Sequence, residues 1–354
     1  MHAVGARPNF VKMAPVIDAL RDRGAEQMVV HTGQHYDAAM SADMLEDLAF
    51  PAPDRFLRVG SGAHGEQTGR ILIGFEQVLL ELPQVSMVVV GGDVNGTLAC
   101  ALAAAKLDVP VAHVEAGLRS RDWAMPEEIN RVLTDRLSAL LFTHSPEAGP
   151  NLIGEGIEAG RIHAVGNTMI DSLARFAPRA ERLAAWEGFG LDRPAYVLVT
   201  LHRPSNVDDP GRLAAIAEAL CLLAERHPVV FPVHPRTRAR LQQDGIGDRM
   251  ASAGVMLTAP LPYLGFLSLE AGAGAILTDS GGVQEEASAL GVPCFTLRTT
   301  TERPVTIDLG TNHLLGDDPA TIRQVATAPP RPCTIPLWDG HAAERIADVI
   351  LAAV

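Results

Sequence analysis

A chain of 354 residues is longer than one typical domain; at roughly 100–200 residues each it favours two. Hydrophobic residues make up 47% and charged residues 20%, which excludes a largely disordered chain. The net charge of −13 excludes a broad basic surface for coating nucleic acid, yet leaves room for an anionic small-molecule substrate, which needs only a few placed cations.

The start, MHAVGARPNF, lacks the charged and apolar regions of a secretion signal, and no apolar run reaches about 18 residues. Neither a leader nor a membrane span is expected. The first strand is His2-Ala3-Val4, followed by Gly5-Ala6-Arg7-Pro8-Asn9-Phe10-Val11-Lys12 and a helical pattern over 13–23. A glycine turn feeding a helix start suits an anion, and Arg7 and Lys12 add cations. Lys12 stands out because all but two of the 29 basic residues are arginine. An ordinary strand-to-helix turn has the same appearance.

Further strand runs are read at 28–30, 87–90 and 111–114, with a helix over 66–80. Asp93 ends one run, Glu115 ends the next, and Glu127 and Glu128 follow in Met125-Pro126-Glu127-Glu128-Ile129-Asn130-Arg131. Several carboxylates at neighbouring strand ends suit acid–base work, although each alone also suits a cap or salt bridge. Val165-Gly166-Asn167 closes this half.

The second half opens at 196–200 and continues through runs at 229–233, 275–278 and 294–297, with a helix over 213–226. His202 and Arg203 follow the first of these runs, and His234 with Arg236 the second. Histidines beside arginines at strand ends suit an anion cleft. No paired His/Cys spacing supports a metal, so none is expected. Thr278-Asp279-Ser280-Gly281-Gly282-Val283-Gln284-Glu285-Glu286 leaves a strand and enters a helix. Ser280, Gly281 and Gly282 let backbone approach a diphosphate, with Glu285 or Glu286 a turn away for ribose hydroxyls. The same residues also make a plain N-cap with first-turn glutamates. Thr299, Thr300, Thr301 and Arg303 follow the last run, and their hydroxyls and cation suit a sugar or phosphate and equally an ordinary polar loop.

Continuous apolar strands alternating with helices predict α/β architecture with parallel sheets covered on both faces. The division drawn is 1–168, 169–340, and a final helix at 341–354 packing back on the first domain. Cys100, Cys221, Cys294 and Cys333 form no CxxC pair; free thiols and a cytoplasmic location are expected.

GARPNFVKMAP, HTGQHYD, GGDVNGTLA, HVEAGLRS, MPEEINR, VGNTMID, LHRPSN, FPVHPRT, LTDSGGVQEE and TTERP occur in that order. With them the chain resembles the non-hydrolysing UDP-N-acetylglucosamine 2-epimerases over nearly its whole length. The resemblance implies a GT-B fold, two doubly wound Rossmann-like domains facing a central cleft. It implies interconversion of UDP-GlcNAc and UDP-ManNAc without NAD or another cofactor, and a homodimer. Asp93, Glu115 and Glu127 match the family's catalytic carboxylates, and His202 the assisting histidine. Arg7, Ser280, Gly281 and Glu286 match nucleotide contacts, Ser280 and Gly281 on diphosphate and Glu286 on ribose; Lys12, Arg203, His234, Gly282 and Arg303 are expected to bind substrate from their places at strand ends and turns.

Departures are visible. GARPN stands where relatives read GTRPE, HRPSN where they read HRRE, and Gly91 where they have histidine before Gly-Asp. Many members bind a second, activating UDP-GlcNAc through residues matching Gln34, Arg70, Arg203 and His234. Asp37 stands where some have glutamine, so this site is expected to be weakened. Competing readings are a hydrolysing relative that releases UDP and ManNAc, an epimerase for another UDP-sugar, a catalytically dead UDP-sugar sensor, and a plain glycosyltransferase.

Overall fold

The computed structural model describes residues 1–34, 47–243 and 245–354; the side chains of Arg7, Arg236 and Gln243, and all of Asp37, lie outside the described residues. Two compact units are formed, Met1–Arg175 with Pro336–Val354, and Phe176–Ile335.

The first unit holds β1 (His2–Val4), β2 (Val29–His31), β3 (Arg55–Phe56), β4 (Val88–Gly91), β5 (Val111–Ala116), β6 (Leu140–Thr143) and β7 (Ile162–Ala164). They make a seven-stranded parallel sheet in the order β3-β2-β1-β4-β5-β6-β7. Residues of β1, β4 and β5 are buried throughout, as strands covered by helices on both faces must be. The alanine-rich helix Asn95–Lys106 lies close on the sheet because its side chains are small, and Ile71 and Phe75 of the helix His64–Glu81 pack in the same cluster. Each such large side chain contributes about 1.5–3 kcal/mol by leaving water.

The C-terminal helix Ala342–Ala353 belongs to this unit. It buries Ile346 and Ile350, and its first amides, Ala342 and Ala343, donate to Asp171 at 3.1 and 2.7 Å. Arg23, just after the helix Arg7–Asp22, reaches Asp348 at 2.9 Å.

The second unit holds β8 (Val197–Thr200), β9 (Val229–Pro232), β10 (Val255–Thr258), β11 (Ala275–Thr278), β12 (Cys294–Thr296) and β13 (Asn312–Leu314), in the parallel order β10-β9-β8-β11-β12-β13. Chain order reverses between β1 and β4 in one sheet and between β8 and β11 in the other. Carboxyl ends of strands flanking such a reversal form a ready crevice. Asp93 follows β4, and His202 and Ser280 follow β8 and β11.

Candidate active site

In the first unit the carboxylates are held by geometry rather than scattered. Gly92 turns the chain after β4 at φ +69°, and a Cβ there would meet Lys12 Nζ at 3.3 Å and Glu115 Oε2 at 3.4 Å. Glycine is therefore needed twice over, for its backbone and for its missing side chain. Asp93 next to it is paired with Arg131, whose other amino group donates to Glu128 at 2.6 Å. Asn130 donates to the Asp93 carbonyl at 2.9 Å.

Glu115 is buried, takes the left-handed φ of +73°, and sits at a register shift between β5 and β6. Its carboxylate is paired with Lys12, so the buried cation meets a catalytic candidate directly. His144, which follows β6, brings a ring nitrogen within 4.8 Å of the Glu115 carboxylate. The sequence reading missed His144, although the signal was present: it ends a strand, as His202 does.

Glu127 and Glu128 take different parts. Glu128 is buried and accepts from the amides of Ser120 and Arg121, both at 2.9 Å, which folds the loop before it. Glu127 is exposed in the first turn of the helix Pro126–Leu137 and remains open to a substrate.

In the second unit, Asp279 ends β11 with no exposure. It accepts from the amides of His202 at 3.1 Å and Arg203 at 3.0 Å, from Asn206 Nδ2 at 3.1 Å, and faces His202 Nδ1 at 2.9 Å. Burial by itself would raise this carboxyl; hydrogen bonds from His202, Asn206 and the Arg203 amide, with the charge of His202, outweigh it and hold it below the usual value. Through Nδ1 it orients His202 and leaves Nε2 for chemistry. His234 is exposed, its ring centroid 6.4 Å from that of His202.

Ser280 precedes the helix Gly281–Leu290, whose first amides have no helical acceptor. Beside this helix start, Glu302 gathers Arg303 at 2.6 Å, Arg298 at 2.8 Å and Arg203 at 3.6 Å. A Cβ on Gly281 would lie 2.4 Å from Arg303 Nη1, so the backbone and the guanidinium are in close approach. Amides and arginines together suit a diphosphate. The two glutamates separate here: Glu285 pairs with Arg303 at 3.0 Å, while Glu286 accepts from Tyr263 at 3.3 Å.

Burial raises the Glu286 carboxyl, and burial followed by repulsion from Glu286 raises Glu270, which has no exposure and, among the described residues, no hydrogen-bond partner on either oxygen. Stability tied to keeping these two protonated is present below the ordinary glutamate value of 4.5 and drains away as pH rises through their folded values. Glu270→Leu is therefore expected to raise stability by about 2 kcal/mol, with a gain that grows toward alkaline pH. Denaturant melts across pH check this, and a loss at alkaline pH refutes it.

Gln34 is buried, accepting from the Gly96 amide at 2.8 Å and thereby holding the start of the helix Asn95–Lys106. Arg70 is exposed and paired with Glu66 one turn away on its own helix. The Arg7 side chain lies outside the described residues.

Strand-end carboxylates in one doubly wound unit, and a Ser-Gly-Gly turn with an arginine cluster in the other, define an α/β enzyme of the GT-B class. The family model described as UDP-N-acetylglucosamine 2-epimerase matches residues 18–351, and the chain belongs to that family of isomerases. It is 44% identical to the UDP-N-acetylglucosamine 2-epimerase of Methanocaldococcus jannaschii, over 98% of this chain and 97% of the relative. It is 45% identical to the UDP-2,3-diacetamido-2,3-dideoxy-D-glucuronate 2-epimerase of Pseudomonas aeruginosa, over 88% of this chain and 87% of the relative. A crystal structure of the M. jannaschii UDP-GlcNAc 2-epimerase in complex with UDP-GlcNAc and UDP superposes with a TM-score of 0.91, at 43% identity and 99% coverage of both chains. Among the described residues no helix is long and apolar enough to cross a membrane.

Proposed function

We propose that this enzyme interconverts UDP-GlcNAc and UDP-ManNAc by eliminating UDP to 2-acetamidoglucal and adding it back after C2 is reprotonated on the other face. The observation that carries the reading is the pairing of Glu115 with Lys12 against Gly92, the residue before Asp93, and near His144, an acid–base centre at the strand ends of one unit. A pyranose C2–H is not acidic. Departure of UDP builds positive charge at C1 and makes that proton removable, so the reaction needs carboxylates for proton transfer and donors for the leaving diphosphate. Asp93, Glu115 and Glu127 move the protons in this reading, and His202, set by Asp279, assists. Ser280, Gly281, Gly282, Arg203 and Arg303 take the diphosphate; Glu286 takes ribose hydroxyls. Lys12 serves as the counter-ion of Glu115.

UDP-GlcNAc incubated with the enzyme in D2O is expected to give both epimers with deuterium at C2 by NMR. Epimerisation without deuterium refutes the elimination route; stoichiometric free UDP and ManNAc favour the hydrolysing reading. The likeness to the P. aeruginosa relative favours testing UDP-2,3-diacetamido-2,3-dideoxy-D-glucuronate as a second substrate in the same assay. A homodimer and a cytoplasmic location belong to the same proposal. The free cysteines suit a reducing compartment, and light scattering on the assayed enzyme reads the mass against 37.6 kDa per chain.

A further inference from the structure

Beneath the carboxylates of the first unit lies a charged network that no proton-transfer role requires. His113, on β5, has no exposure. Its Nε2 faces the Gly92 carbonyl at 2.8 Å, and its Nδ1 faces Asp135 Oδ1 at 2.7 Å. Asp135 lies in the helix Pro126–Leu137, and its Oδ2 accepts from the Gly117 amide at 3.2 Å and from Arg119 at 2.8 Å. Arg119 in turn makes two contacts of 2.7 Å with Glu155.

Donor and acceptor logic fixes the state of the ring. A carbonyl oxygen only accepts, so Nε2 carries a proton. An aspartate that already receives Arg119 and a backbone amide keeps its charge, so it also only accepts, and Nδ1 carries a proton too. The ring is then an imidazolium. The group is neutral as a whole, with the buried His113 and Arg119 set against the buried Asp135 and the partly exposed Glu155.

One end of the network touches the peptide carbonyl that leads into Asp93, and the other touches the backbone just past Glu115. The Gly92 carbonyl leads into Asp93, and the Gly92 amide is fixed to the Val114 carbonyl at 3.0 Å. The Gly117 amide lies two residues past Glu115, whose left-handed backbone is under strain and needs its neighbours held.

We infer that His113 and Asp135 are positioning residues: a buried imidazolium–carboxylate pair that sets the distance between the backbones carrying Asp93 and Glu115. This rests on the proposed catalytic roles of those two carboxylates. It adds that their spacing is fixed by charge held beneath the sheet end rather than by contacts with substrate.

The test uses the full-length enzyme labelled with 15N-histidine, with the His113 signals identified by their loss in His113→Gln. Protons bonded to both ring nitrogens at neutral pH are expected; a ring with one proton overturns the inference without recourse to a variant. Asp135→Asn is expected to lower kcat about 10²-fold, the scale of a displacement near 1 Å. KM for UDP-GlcNAc is expected to stay within about three-fold, the split that marks loss of an interaction made in the transition state. Unchanged kcat, or a loss confined to KM, overturns it. Asp93→Asn and Glu115→Gln are assayed alongside. Full activity in both sinks the catalytic reading, while the protonation of His113 is read by NMR whatever they show.

Discussion

Glu115→Gln is expected to lower kcat for epimerisation by about 10³-fold while UDP binds with unchanged affinity. The amide keeps the shape of the side chain, so packing at this buried position survives. What it loses is the capacity to take and return a proton, and the negative partner of Lys12. UDP affinity is unaffected because Ser280, Gly281 and Arg303 belong to the other unit. Deuterium incorporation at C2 should fall in step with turnover, since both depend on the same proton transfer. Wild-type turnover in Glu115→Gln refutes the role, and an equal fall in UDP affinity shows a structural effect instead.

The second large effect concerns stability. Asp279→Ala removes the acceptor from four donors: two amides, Asn206 Nδ2 and His202 Nδ1. Stranding them costs about 3 kcal/mol, and the unfolding midpoint of the second unit should fall by roughly 10 °C. The loss depends on pH in a definite sense. The folded carboxyl is held below its ordinary value of 3.8, so its contribution is present above that value and lost as pH falls through the folded one. The gap between wild type and Asp279→Ala should therefore narrow under acid; a gap constant with pH refutes the assignment. Activity should fall as well, because His202 loses the group that orients it.

Much of this was legible in the sequence. The run at 275–278 and the helix at its end agree with β11 and Gly281–Leu290, because an unbroken apolar stretch closed by Ser-Gly-Gly is both a buried strand and a helix start. The helix read from residue 13 begins six residues earlier, since Pro8 fits a first turn and Asn9 accepts from the Ala6 amide at 3.1 Å. The strands β3, β7 and β13 were not legible: they are two or three residues long, partly exposed and interrupted by a polar or charged residue, so they lack a continuous apolar signal, whereas β10, Val255-Met256-Leu257-Thr258, carries a short apolar run that the strand reading passes over. The run Leu140–Thr143 is buried after its first residue but follows the helix Pro126–Leu137 almost at once, which hides it in that helix's pattern.

Residue types at the site were legible, but partners were not. Lys12 reads from sequence as an anion contact and proves to be the counter-ion of Glu115, 103 positions away. Asp279 reads as part of a turn and proves to orient His202 across 77 positions. Such pairs are set by which strands the sheet makes neighbours, and no local spacing records that. The pairing of Glu285 with Arg303 is likewise absent from any local spacing.

Glu115 also puts two selections in opposition. An L-residue at φ +73° is strained by about 1 kcal/mol or more, which glycine would relieve and asparagine would lessen. In a library randomised at this position together with Lys12, whose buried charge would otherwise be stranded at a cost of about 3–5 kcal/mol, and sorted only for folded protein, glycine and asparagine should therefore accumulate, and glutamate should be depleted. Sorted for turnover, the same library should return glutamate alone. Position 115 would thus report which property a selection rewards, and an enzyme stabilised blindly by consensus or thermal screening should be checked there first for silent loss of activity.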